Sequence, residues 1–60
     1  MDKLLLTPEE TAEVLGIGRS KVYELLRAGA IESVRIGASR RIPVAAVTEY
    51  VERLRREAAA

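Results

Sequence analysis

Apolar and polar positions recur along this chain in two rhythms, and each change of rhythm marks an element. Thr11, Ala12 and Leu15 share one side of a helical wheel that Glu9, Glu10 and Glu13 leave free. The segment opens on Thr7-Pro8-Glu9-Glu10. Thr7 suits an N-cap, Pro8 the first helical position, and Glu10 closes a T-x-x-E capping box. Both glutamates favour the positive end of the helix dipole. Gly16 is a stop after about two turns, so a helix is predicted over about 8–15. Only Ile17 and Gly18 separate it from a second pattern, in which Val22, Leu25 and Leu26 recur at i, i+3 and i+4. A helix is predicted there over about 19–28, with Gly29 ending it. Two short helices joined by a tight Gly-containing turn match a helix-turn-helix.

The rhythm then shortens to two. Val34 and Ile36 alternate with Arg35, a half-buried strand signal. Gly37-Ala38-Ser39 forms the expected turn, Arg40 to Pro43 the return strand, and Pro43 is expected to block further ladder pairing. This predicts a two-stranded wing over about 33–43. Helical spacing returns over about 44–57, where Val44, Val47, Tyr50, Val51 and Leu54 make an apolar stripe that places Tyr50 in the core. Glu49–Arg53 and Glu52–Arg56 are expected i,i+4 pairs on the opposite face. Ala58, Ala59 and Ala60 are expected to fray. The fold class is mainly α with a small β-hairpin, a winged helix-turn-helix, in one domain spanning 1–60.

Composition narrows the chemistry. Sixty residues without cysteine or histidine leave no disulfide and no Cys/His zinc site, so marginal stability from packing alone is expected. No cofactor is indicated. Three serines have no base to activate them, Asp2 is the sole Asp, the glutamates lie on helix surfaces, and no Gly-rich loop cradles phosphate. An enzyme is not expected. No apolar run approaches the ~20 residues that span a bilayer. Leu4-Leu5-Leu6 is too short for a signal-peptide h-region, so a soluble, cytoplasmic protein without membrane partners is expected. Met1 and a natural-looking end are those expected of a complete chain.

Charge is distributed more tellingly than composition suggests. Residues 1–17 carry one base and four acids, residues 18–41 six bases and two acids, and residues 42–60 three of each. A formal net charge of +1 hides a basic middle that coincides with the second helix and the wing. A basic helix beside a basic hairpin suits a polyanion with a groove and a backbone.

The run Leu5-Leu6-Thr7-Pro8-Glu9-Glu10-Thr11-Ala12-Glu13-Val14-Leu15-Gly16-Ile17, then Arg19-Ser20-Lys21-Val22-Tyr23, Val34-Arg35-Ile36-Gly37 and Arg41-Ile42-Pro43 resembles the excisionase-type winged helix-turn-helix domains. These are relatives of the DNA-binding domain of MerR-type regulators. The resemblance runs from about Leu4 to Leu54. It implies a second helix in the major groove of double-stranded DNA and a wing against the backbone or minor groove. It also implies one of two roles: a phage or element excisionase (a recombination directionality factor, bacterial or phage-encoded and nucleoid-associated) that bends attachment-site DNA beside an integrase, or a small transcriptional regulator. Gly18 replaces the usual Ser cap, Glu24 stands where Arg is frequent, and Ala38 occupies a wing position often held by Arg. Less positive charge on the DNA face implies cooperative or assisted binding, several copies associating on DNA from a monomeric free state.

The residues then sort by position. Ser20, Tyr23, Glu24 and Arg27 oppose the apolar trio of the second helix, with Arg19 and Lys21 on its flanks. Arg19, near the N-terminus, is the first candidate for a base edge. Ser20 and Lys21 reach bases or phosphate, while Tyr23 and Arg27 fix backbone and register. Packing between the helices is the other reading of Tyr23. Glu24 offers an acceptor to a cytosine amino group, or pairs with Arg27 or Lys21. In the wing, Arg40 and Arg41 are expected to flank the tip, with Arg35 across the hairpin, suited to phosphate or a narrow minor groove. A protein-interaction module built on the last helix is the competing reading from another class.

Overall fold

The computed structural model describes residues 3–59, with elements in the order β1 (Leu5–Leu6), α1 (Pro8–Leu15), α2 (Arg19–Arg27), β2 (Val34–Ile36), β3 (Ser39–Pro43) and α3 (Val44–Ala59). Asp2, counted among the acids above, and Ala60, expected to fray, lie outside the described residues. Ala58 and Ala59 belong to α3, which runs two residues past its expected end.

The local signals act as their chemistry dictates. Glu10 N–H donates to Thr7 Oγ1 at 3.0 Å and Thr7 N–H donates to Glu10 Oε1 at 2.9 Å, completing the capping box. Thr11 is fully buried, and its hydroxyl donates to Thr7 O at 2.9 Å. At the other end Gly16 adopts φ 70°, a left-handed conformation that a side chain resists. Gly16 N–H then donates to Glu13 O and Ile17 N–H to Ala12 O, closing a Schellman motif. The same pair of bonds recurs at the end of α2, where Gly29 N–H donates to Leu26 O and Ala30 N–H to Leu25 O.

The sheet is larger than the sequence predicts. It has three strands in the order β1-β3-β2, both pairings antiparallel. Leu5 stands opposite Pro43 and Leu6 opposite Ile42, and Val44 N–H donates to Leu4 O at 3.0 Å. Pro43 therefore does not end pairing on both sides. Peptide groups of alternate residues point to opposite neighbours in an antiparallel sheet. Since Val44 bonds toward β1, the missing N–H of Pro43 points toward β2, which ends opposite Arg41. The proline sits where the ladder has already stopped.

The wing turn is also tighter than expected. Ser39 pairs with Ile36 as the first residue of β3, leaving Gly37-Ala38 as a two-residue loop. Gly37 has φ 60° and, among the described residues, no non-glycine has positive φ, the pattern of a II′-type turn.

The core is Leu6, Ala12, Val22, Leu26, Ile31, Ile42 and Val47, with Leu15, Leu25, Ala46 and Tyr50 packed partly against it. The stripe of α3 is only partly covered. Val47 is buried and Tyr50 half-buried, but Val44, Val51 and Leu54 are 38%, 36% and 45% exposed. The helix meets β3 near its start, and so small a domain has no second layer to cover its later turns. The expected ion pairs of α3 differ as well. Glu52 pairs with Arg55 at 3.1 Å, and Arg53 turns inward to donate to Ala30 O while its guanidinium lies 5.7 Å from the centre of the Tyr50 ring. Arg53 thereby ties α3 to the loop after α2, a contact worth more to a small core than a solvent-exposed pair.

Candidate nucleic-acid interface

Val22 and Leu26 fix the orientation of α2. Both are buried, so the remaining arc, Arg19, Ser20, Lys21, Tyr23, Glu24 and Arg27, is exposed as a single face. Gly18 caps α2 with no side-chain bond, at a cost of a few tenths of a kcal/mol relative to Ser. The predicted contact set of α2 is therefore brought together whole.

Two of its members are already engaged within the protein. Lys21 Nζ lies 3.7 Å from Glu24 Oε1, so of the two basic neighbours on α2 it is Lys21 that stands beside Glu24. The Tyr23 hydroxyl donates to Glu9 Oε2 at 3.3 Å, reaching back to the first turn of α1. Tyr23 is both a link between the two helices and an exposed phenol. Glu9 was invisible as a partner in the sequence, because its place at a helix start already explained it.

The wing departs from expectation in its charge layout. Arg40 stands directly opposite Arg35, and Arg41 opposite Val34, so Arg40 and Arg41 point to opposite faces of β3 and neither flanks the tip. The tip itself is Gly37-Ala38 between Ile36 and Ser39, without charge, and Ile36 is 61% exposed. The expected half-burial of Ile36 fails because Ile42, and with it the core face, lies on the opposite side of the sheet. Arg40 Nε donates to Ser33 Oγ at 3.1 Å and Arg41 Nη1 to Arg40 O at 2.9 Å, fixing both side chains part-buried along the hairpin.

Arg35 and Arg40 thus form a like-charge cross-strand pair. Such pairs oppose folding, and among the described residues neither arginine is ion-paired. The register thus places two arginines at one rung of the hairpin, a residue type whose planar fork matches phosphate geometry. Glu10 lies away from this face, at the start of α1. Lys3 pairs with Glu10, and that bond together with the Thr7 N–H holds the Glu10 carboxyl below the usual carboxylate range. No helix among the described residues is long and apolar enough to cross a membrane.

Comparison with known proteins agrees with this geometry. The helix-turn-helix domain family matches residues 5–55. A protein of Saccharopolyspora erythraea described as a probable excisionase is 55% identical over 53 residues, covering 88% of this chain and 54% of that protein. An excisionase of Streptomyces ambofaciens is 42% identical over 48 residues, covering 80% of this chain and 77% of that protein. The chain thus spans about half the length of the first of these relatives. No solved structure gives a significant match. A capped two-helix unit with an exposed basic face, a β-hairpin bearing paired arginines, and relatives of this kind lead to one assignment: the chain belongs to the excisionase-type helix-turn-helix family of DNA-binding domains.

Proposed function

We propose that this protein controls the direction of site-specific recombination: it occupies attachment-site DNA in several adjacent copies, bends it, and so favours excision by an integrase. The observation that carries the reading is the undivided exposed face of α2, on a chain 55% identical to a probable excisionase. In this reading α2 enters the major groove. Arg19 and Ser20 reach base edges, Lys21, Tyr23 and Arg27 hold the backbone, and Arg35, Arg40 and Arg41 place the wing on phosphates or in the minor groove. The protein acts in the cytoplasm, on the nucleoid, without a cofactor or catalytic step.

Fluorescence anisotropy of a random-sequence duplex over a range of salt tests DNA binding first. Helix and wing together should give a log–log slope of about −3 to −5. Arg19→Glu with Arg41→Glu should abolish binding and biological activity together; activity that survives this charge reversal would point instead to a protein-interaction module. Gel shifts on duplexes with one and three copies of a selected site then test association, since equal per-site affinity would refute cooperativity. Loss of excision in a deletion strain with unchanged transcription supports the directional role. Regulated promoters without a recombination defect would assign the domain to transcription.

A further inference from the structure

The exposed face of α2 carries a contradiction: its central turn holds an acid where a polyanion is to be met. Glu24 lies among Ser20, Lys21, Tyr23 and Arg27, with its side chain 61% exposed and its carboxylate on Lys21. Glu9 holds the Tyr23 hydroxyl in the same way from α1. Neither contact contributes much to the fold, because pairs open to water are worth little. Their effect falls on whatever approaches α2. An ammonium beside a carboxylate presents a dipole rather than a charge, so Lys21 releases less counterion from a phosphate than a free lysine would. A phenol that donates to Glu9 turns its lone pairs outward, the wrong polarity for phosphate oxygen. By contrast Arg19, Arg27, Arg35, Arg40 and Arg41 have no acidic partner among the described residues.

We propose that Glu24, seconded by Glu9, is a specificity-determining residue that acts as a brake on sequence-independent binding: it occupies Lys21 until a base edge relieves it. The inference rests on α2 being the helix that enters DNA. On an arbitrary duplex the carboxylate is drawn toward phosphates and repelled. At a site that places a cytosine N4 amino group beneath it, the carboxylate accepts a hydrogen bond and Lys21 is released to the backbone. Discrimination arises because the wrong sequence is penalised, as well as because the right one is bound.

Anisotropy titrations of a random duplex, and of a duplex selected with the unaltered protein, test this with E24Q, K21M and K21M/E24Q. E24Q should bind the random duplex about 5–10-fold more tightly near 100 mM salt and steepen the slope by about one, since one further phosphate contact is freed. The selected duplex should gain less, so the ratio between the two shrinks. In the K21M background the E24Q gain should shrink to what relief of the direct carboxylate–phosphate repulsion alone supplies, because the cycle isolates the contribution of the pair. E9Q compared in wild-type and Y23F backgrounds repeats the test on the second contact, and Glu24→Ala repeats the charge change should the glutamine find a new partner. Unchanged or weaker random-duplex binding by both E24Q and Glu24→Ala overturns the brake, as does an equal gain without Lys21. Failure of the unaltered protein to bind any duplex at low salt would remove the DNA reading of α2 itself, a distinct outcome that takes the brake with it.

Discussion

Glu10 serves two partners at the start of α1. Its carboxylate accepts from the Thr7 N–H and pairs with Lys3, and both contacts, the Lys3 bond foremost, hold its carboxyl below an ordinary value near 4.5. A group whose folded value is lowered stabilises the fold above its unfolded value, and that contribution disappears as pH falls through the folded one. Glu10→Gln keeps an oxygen for Thr7 but no charge. The gap in Tm between wild type and Glu10→Gln should therefore be largest near pH 6–7 and close as the pH drops below about 4. A gap independent of pH would locate the effect in the amide bond alone. At this scale the sequence was highly legible. Thr7, Pro8 and Glu10, and the stops at Gly16 and Gly29, depend only on neighbours within one turn, and each does what its spacing requires. Tyr23 and Arg53 were not legible in this way, because their partners, Glu9 and Ala30 O, become neighbours only once the elements have packed.

Among the elements, α3 shows how far a periodic pattern can be trusted. Its spacing correctly predicted a helix, but spacing does not report how many turns find a surface. Val47→Ala should cost about 1.5–3 kcal/mol, since a buried side chain is truncated. Leu54→Ala, in the same stripe, should cost less than about 1 kcal/mol. Urea denaturation of both variants checks the contrast, and equal losses would mean that the later turns are covered in solution. The strand β1 is the opposite case. Three leucines before a cap carry no strand rhythm of their own, and Leu5–Leu6 are a strand only because Ile42 and Pro43 lie beside them. The same alternation that suggested a half-buried wing fails at Ile36, because the face that meets the core is chosen by Ile42 rather than by β2. For the candidate interface, the residues of α2 were readable from the burial of Val22 and Leu26, whereas the layout of the wing arginines depended on a register set by a two-residue turn.

The pairing of β1 with β3, continued by the bond from Val44 to Leu4, is a seam between distant parts of the chain. Every candidate DNA contact, from Arg19 to Arg41, lies on the chain between the two sides of that seam. In folding terms the interface is therefore a closed loop. Helix α2 and the hairpin rest on local contacts, whereas their joint placement requires two segments far apart in sequence to meet, the step expected to carry the largest loop-closure cost. Leu6→Ala should slow refolding in stopped-flow experiments as well as lower stability, whereas Leu54→Ala should leave the refolding rate unchanged. A chain that begins at Thr7 should lose cooperative melting and DNA binding together, although it keeps every basic residue of the interface. A loop closed in this way makes the joint placement of helix and wing a property of the finished fold: a fragment carries the same charges but should not hold them in one arrangement until β1 is paired with β3.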